Sequence, residues 1–178
     1  VIQTIRMGHV LREAVAAPYR NLVTRPTGAA VRTRIEATMA HSNCLTALLD
    51  FSEIELVDLS CADEVVAKLL LTVRTAYFVV LQGLREDHHE AIDHVLTHHR
   101  LAIASVPPGC RAPRLLGWVQ ADAREAFTRI SEIGPLDVGG LARALDWPEA
   151  RSREALDDLT LHRLVRPVGE HYYPLQIA

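Results

Sequence analysis

Apolar residues in the first hundred positions fall into two kinds of run. Short, nearly continuous runs suit strands buried on both faces of a parallel sheet. Longer runs with a period of three to four residues suit amphipathic helices. Leu45 to Phe51 (with Ala47, Leu48 and Leu49), Tyr77 to Leu81 and Leu101 to Val106 are of the first kind. Val31, Ile35 and Met39, at i, i+4 and i+8 within Ala29 to Ala40, are of the second, and His41-Ser42-Asn43 stops that helix. Two more helices are expected, from Ala62 to Arg74 with Val65, Val66, Leu69, Leu70 and Val73 inward, and from Asp87 to His99 with Ile92, Val95 and Leu96 inward. Val1 to Ile5 reads extended, and His9 to Ala17 fits either a short helix or a second strand, closed by Pro18. Leu22 to Thr24 is a short β-prone piece, and Ile54, Leu56 and Val57 follow a polar break. Asp58-Leu59-Ser60 has the chemistry of a helix cap. Helix, strand, helix, strand, helix, strand predicts an α/β sheet with crossover helices.

The pattern changes after Val106. Pro107-Pro108-Gly109 and the following Cys110-Arg111-Ala112-Pro113 read as a linker over 107–114, between a domain at 1–106 and a second at 115–178. There a long amphipathic helix is expected from Leu115 to Ile133, broken by Gly134-Pro135. A short helix from Val138 to Leu145 follows, then Asp146-Trp147-Pro148 and a third helix from Glu149 to Leu161. Leu164 to Pro167 and His171 to Leu175 are β-prone pieces around Gly169. Three helices and then a hairpin is the order of a winged helix.

Composition narrows the class. Hydrophobic residues are 49% and charged residues 23% of the chain, proportions that support a packed core. No apolar run approaches the roughly 20 residues that span a bilayer, so no membrane partner is expected. The N-terminal stretch lacks the basic-then-apolar pattern of a secretory leader, so none is expected. Cys44, Cys61 and Cys110 are scattered without a CxxC pair, which points to a reducing, cytoplasmic setting rather than a disulfide framework. Net charge is −3, and from Ala112 onward 8 Arg meet 10 acids, a balance that weighs against nucleic-acid binding.

Thr24-Arg25-Pro26-Thr27-Gly28, Leu49-Asp50-Phe51-Ser52 and Val57-Asp58-Leu59-Ser60-Cys61-Ala62-Asp63-Glu64 together resemble the STAS-like family, similar to the STAS domains of anti-sigma-factor antagonists. The resemblance covers roughly Tyr19 to Val106. In those antagonists an Asp-Ser-Ser-Gly segment carries a serine that a partner kinase phosphorylates. The resemblance implies that Asp58 stands at the Asp and Ser60 at the phosphorylated Ser, with Leu59 and Cys61 replacing the first Ser and the Gly. It further implies a regulator or kinase as protein partner. A phosphate on Ser60 would face Asp58, Asp63 and Glu64, so these four form the expected switch or interaction turn. The plainer alternative is that Ser60 simply caps the helix, worth about 1 kcal/mol.

The C-terminal segment resembles the winged-helix domains of transcription regulators, with Arg151 to Leu159 as recognition helix and Leu164-Val165-Arg166 with Tyr172-Tyr173 as wing. That implies double-stranded DNA as a second partner, contacted by Arg151, Ser152 and Arg153 in the major groove and by Arg166 and His171 at phosphates. Glu154, Asp157 and Asp158 on the same helix oppose this. Docking to protein, or a homodimer, is the alternative use of the domain.

Glu90, His94 and His98 share one helical face, but no fourth ligand or general base is evident, so no metal is expected. His88 and His99 flank the apolar face and read as partly buried packing residues. Gly139-Gly140 lacks the spacing and Lys of a phosphate loop. With no complete catalytic set in linear order, the expectation is a non-enzymatic regulator without a cofactor, an α/β STAS-like domain followed by a winged helix-turn-helix. The alternative is a sequence-specific transcription regulator with the first domain as sensor.

Overall fold

In the computed structural model, which describes residues 1–175 and 177, the continuous apolar runs become strands and the periodic ones helices. The chain divides into two units, the first covering Val1–Trp118 and the second beginning at Val119.

The first unit runs β1 (Ile2–Arg6), α1 (Met7–Val15), β2 (Asn21–Leu22), α2 (Arg25–His41), β3 (Thr46–Asp50), β4 (Leu56–Val57), α3, β5 (Phe78–Gln82), α4 (Glu86–His98), β6 (Ala102–Val106) and β7 (Arg114–Gly117). Helix α3 comprises an α-turn at Leu59–Ala62, a π-helical stretch at Asp63–Lys68 and a final α-turn at Leu69–Thr72. The main sheet has the order β1-β3-β5-β6-β7. Its first four strands are parallel, which requires the helical crossovers that the alternating pattern predicted. A separate parallel pair joins β2 to β4, Leu22 opposite Val57. Ile5, Leu49 and Leu81 lie in register across three strands, and they share one buried cluster with Val31, Ile35, Val65, Leu69, Ile92 and Leu96 from the helices. The ambiguous His9 to Ala17 segment is helical, because Met7, Val10 and Leu11 fall on one buried stripe.

The Pro-rich stretch after Val106 is a hairpin connection inside this unit, not a boundary. It leads into β7, which pairs antiparallel with β6, Leu116 opposite Ile103. The helix expected from Leu115 therefore starts only at Ala121. Gly117 explains why the chain extends here. Its φ is +94°, and a Cβ would lie 2.2 Å from the Leu101 carbonyl oxygen. Its N–H donates to the Asp93 carboxylate at 2.7 Å.

The second unit runs α5 (Ala121–Ile133), α6 (Val138–Leu145), α7 (Glu149–Leu161), β8 (Arg166–Val168) and β9 (His171–Tyr173). Asp137 caps α6 by accepting the Gly140 N–H at 2.6 Å. Between α5 and α6, Leu136 pairs antiparallel with Tyr172 of β9. Phe127, Ile130, Leu141, Leu156, Leu159 and Leu164 are buried within the unit. The expected second domain ran to Ala178, and Gln176 and Ala178 lie outside the described residues. Among the described residues no helix is long and apolar enough to cross a membrane.

Leu49→Ala removes a fully buried side chain from the sheet face under the helices, whereas Leu71→Ala trims one that is 61% exposed. Denaturant titration of the first unit's transition is expected to show a loss of about 3 kcal/mol for Leu49→Ala. For Leu71→Ala the change is expected to stay within about 0.5 kcal/mol.

Candidate functional site

The start of α3 is where local chemistry concentrates. Asp58 has extended backbone (φ −82°, ψ 168°) and is the N-cap. Its Oδ1 accepts the Cys61 N–H and the Ser60 hydroxyl, both at 2.8 Å. Its Oδ2 accepts the Thr24 N–H at 2.8 Å. Ser60 is thus not the cap. It lies inside the first turn, half-buried, with its hydroxyl donating to the residue that is.

Thr24 is the N-cap of α2 and takes a φ of +71°, unusual for a residue with a branched side chain. That conformation aims its N–H at Asp58, while its carbonyl oxygen accepts the Cys61 thiol at 3.1 Å. The two helix starts are so close that a Cβ on Gly28 would meet the Glu64 Cβ at 3.0 Å and the Cys61 Cα at 3.1 Å.

One turn further along α3 the charges are matched across helices. Glu64, with only 3% of its side chain exposed, accepts from Lys68 Nζ at 2.7 Å, Arg25 Nη1 at 2.9 Å and Arg32 Nε at 3.2 Å. Asp63 accepts from Arg25 Nη1 at 2.8 Å and meets His99 Nε2 at 2.8 Å. This segment is the π-helical stretch, an irregularity frequent at functional sites.

Burial by itself pushes all three carboxyls up, but hydrogen bonds reverse it. Asp58 ends below its usual range through the Thr24 and Cys61 N–H groups, Asp63 through Arg25 and His99, and Glu64 through Lys68 and Arg25. Asp63 and Glu64 in turn hold the Arg25 guanidinium above its ordinary value. Burial, with the Asp58 charge adding to it, pushes the Cys61 thiol up to about 12. Cys61 is therefore a protonated, inert thiol at neutral pH, not a nucleophile.

Ser60 opens onto a cavity of about 560 Å³, together with Arg25, Asp63, His94, His98 and His99, and with Leu59 and Val95 as its apolar lining. Asp58, Ser60, Asp63 and Glu64 do come together as expected. What the linear reading missed is the side of the site that arginine and histidine supply. Arg25, Arg32 and the three histidines are far from Ser60 in sequence. Only the presence of Arg25 inside the Thr24 to Gly28 segment hinted at it.

Of the residues considered for a metal, His94 and His98 border this cavity, and Glu90 is exposed outside its lining. Among the described residues no group of three or more His, Cys, Asp or Glu could hold a metal ion. His88 is fully rather than partly buried. Its Nδ1 accepts the Arg85 N–H at 3.1 Å, which leaves Nε2 to donate to the Glu55 carbonyl at 2.8 Å.

In the second unit the five residues expected at DNA are not equivalent. Arg151 is tied to Asp122 by two 2.8 Å hydrogen bonds and lies 4.2 Å from the Trp147 ring centroid. Ser152 is a correction. It is fully buried, because it shares the inward stripe of α7 with Ala155, Leu156 and Leu159, and cannot reach a base edge. Arg153 is exposed, but it borders a cavity with Asp137 and Glu170. Arg166 lies 5.6 Å from the Tyr173 ring centroid, and His171 is exposed.

Glu64→Gln removes the charge that three cations surround, and is expected to cost about 2–3 kcal/mol at pH 7. Because the folded-state carboxyl titrates below its ordinary value of 4.5, this stabilisation is complete above that pH and is lost as pH falls through the folded value. Chemical denaturation at stepped pH should show the native chain and the variant converging in acid. A constant gap down to about pH 3 would mean that the carboxylate charge is not what stabilises.

Comparison with protein-family models, with curated proteins and with solved structures found no match to this chain, so the geometry of these side chains is what bears on its function.

Proposed function

We propose that the chain is a non-enzymatic regulatory protein, a STAS-like α/β module followed by a winged helix, that acts through protein contact at the turn carrying Ser60. The carrying observation is the state of that turn. Ser60 is a half-buried hydroxyl at the edge of a cavity with Arg25 and three histidines, and the acids and the thiol beside it in the turn are already engaged. Asp58 accepts three hydrogen bonds, Asp63 and Glu64 are in ion pairs, and the Cys61 thiol is protonated. None is poised as a general base or nucleophile. The hydroxyl is a group whose chemistry a partner can change, and a phosphate there alters both the charge and the hydrogen bonding of the turn.

Support for the module types is topological. Strand–helix crossovers lead to a capped turn at the quoted motif in the first unit. The second unit has helix, bridging residue, helix, helix and hairpin, with Leu136 bridged antiparallel to Tyr172 of β9.

A second reading, sequence-specific DNA binding, is favoured by Arg153 and His171, which are exposed on α7 and on the hairpin. It is weakened by the Asp122 partner of Arg151 and by the burial of Ser152.

Two measurements separate the readings. Chain purified from its native host is expected to carry a phosphoryl group, seen as an added mass and a gel-mobility shift, that Ser60→Ala abolishes. Persistence of the shift in Ser60→Ala, or no phosphate in any growth state, removes the switch. In a mobility-shift series on upstream DNA, the protein-contact reading expects no specific complex even at low salt. A complex that weakens steeply with salt and is lost in an Arg151→Ala/Arg153→Ala double variant would instead make DNA binding the output.

A further inference from the structure

The cavity beside Ser60 draws polar side chains from three elements. Arg25 comes from α2, Ser60 and Asp63 from α3, and His94, His98 and His99 from α4 and its end. The nearby acids are Asp58 and Asp63, with Glu64 buried behind them. Whether this neighbourhood repels or receives a phosphate on Ser60 depends on which cations can be spared.

Arg25 is the one that can. Its guanidinium is half exposed and bonds both Asp63 and Glu64. Without it, Glu64 still has Lys68 at 2.7 Å and Arg32 at 3.2 Å, and Asp63 still has His99 at 2.8 Å. His94 and His98 are exposed at the same cavity.

Phosphorylation also forces the Ser60 side chain to move. Its hydroxyl proton is what binds Asp58 at 2.8 Å, and esterification removes that proton and adds a charge of about −1.5 to −2. Asp58 cannot yield, because two backbone N–H groups hold its oxygens. The phosphoserine must leave for another rotamer.

We infer that phosphoserine at position 60 is received by this cavity as an intramolecular ligand, with Arg25, His94 and His98 as its partners and Asp63 as the carboxylate it displaces from Arg25. The inference rests on the proposed switch at Ser60 and gives it a mechanism. The modified turn then presents a phosphate paired with Arg25 inside the cavity in place of a hydroxyl held by Asp58.

The sign of one titration tests this. Phosphoserine is installed at position 60 of the full chain by genetic encoding, and its phosphorus resonance is followed against pH. The second phosphate ionisation, ordinarily near pH 6, is expected at least about half a pH unit lower. Arg25→Gln, and separately His94→Gln/His98→Gln on the exposed face of α4, should each move the phosphate midpoint back upward. An unshifted or raised midpoint in the native background, the effect of Asp58, Asp63 and Glu64 on a phosphate left outside the cavity, overturns the inference. So does a lowered midpoint that neither variant changes. Because the phosphate is installed directly, this result is independent of whether cells modify Ser60, which only the native-source mass measurement decides.

Discussion

The carboxylate of Asp58 is the interaction on which the first unit's candidate site depends. It caps α3, holds the Ser60 hydroxyl, and reaches across 34 residues of sequence to the backbone of Thr24. Thr24 can offer that N–H only with a positive φ, which is costly for a threonine and has to be compensated by the bonds it makes. The compensation lies in the same few residues. The Thr24 carbonyl accepts the Gly28 N–H within α2 and the Cys61 thiol from α3. With no side chain at Gly28, the two helices approach to within contact of a missing methyl group, and this close crossing is what buries Cys61 and Glu64.

A buried carboxylate at such a crossing would be destabilising by itself. Three cations from two helices offset its desolvation, and each of them remains 22–50% exposed. They therefore keep much of their own hydration while satisfying Glu64, a cheaper arrangement than a fully interior ion pair. The surplus of cations around one acid also gives the neighbourhood capacity to exchange partners without stranding a charge.

Much of the fold was legible because parallel strands and their crossover helices leave different periods in the sequence. The starts of β3, β5 and β6 fall within a residue of the apolar runs that predicted them. Strand β7 was not legible. Leu115, Leu116 and Val119 fit the phase of the following helix, and what overrides that phase is the pairing with β6 and the space beside Leu101 that only a glycine fits. At the candidate site, the acids near Ser60 were legible because they are sequence neighbours. Two cap-forming residue types two positions apart left the cap itself undecided, and backbone geometry at Asp58 decides it. The arginine and histidine partners were not legible, since they arrive from α2 and α4 through packing. Ser152 was legible and was misread. It stands three and four residues before Ala155 and Leu156, on the apolar stripe rather than the polar face.

The two units handle arginine differently, and this bears on where a phosphate can bind. In the second unit Arg151 has a single partner in Asp122 and further commitment to a ring, and Arg153 shares its cavity with two carboxylates. Moving either cation to a phosphate would leave an acid exposed to the same phosphate, and the segment from Ala112 already carries more acids than arginines. In the first unit the acids near Arg25 each keep another hydrogen-bonding partner, and two exposed imidazoles border the same cavity. Local redundancy of cations, rather than net charge, is what makes a surface receptive to phosphate. By that criterion the Ser60 cavity is receptive although the whole chain is acidic.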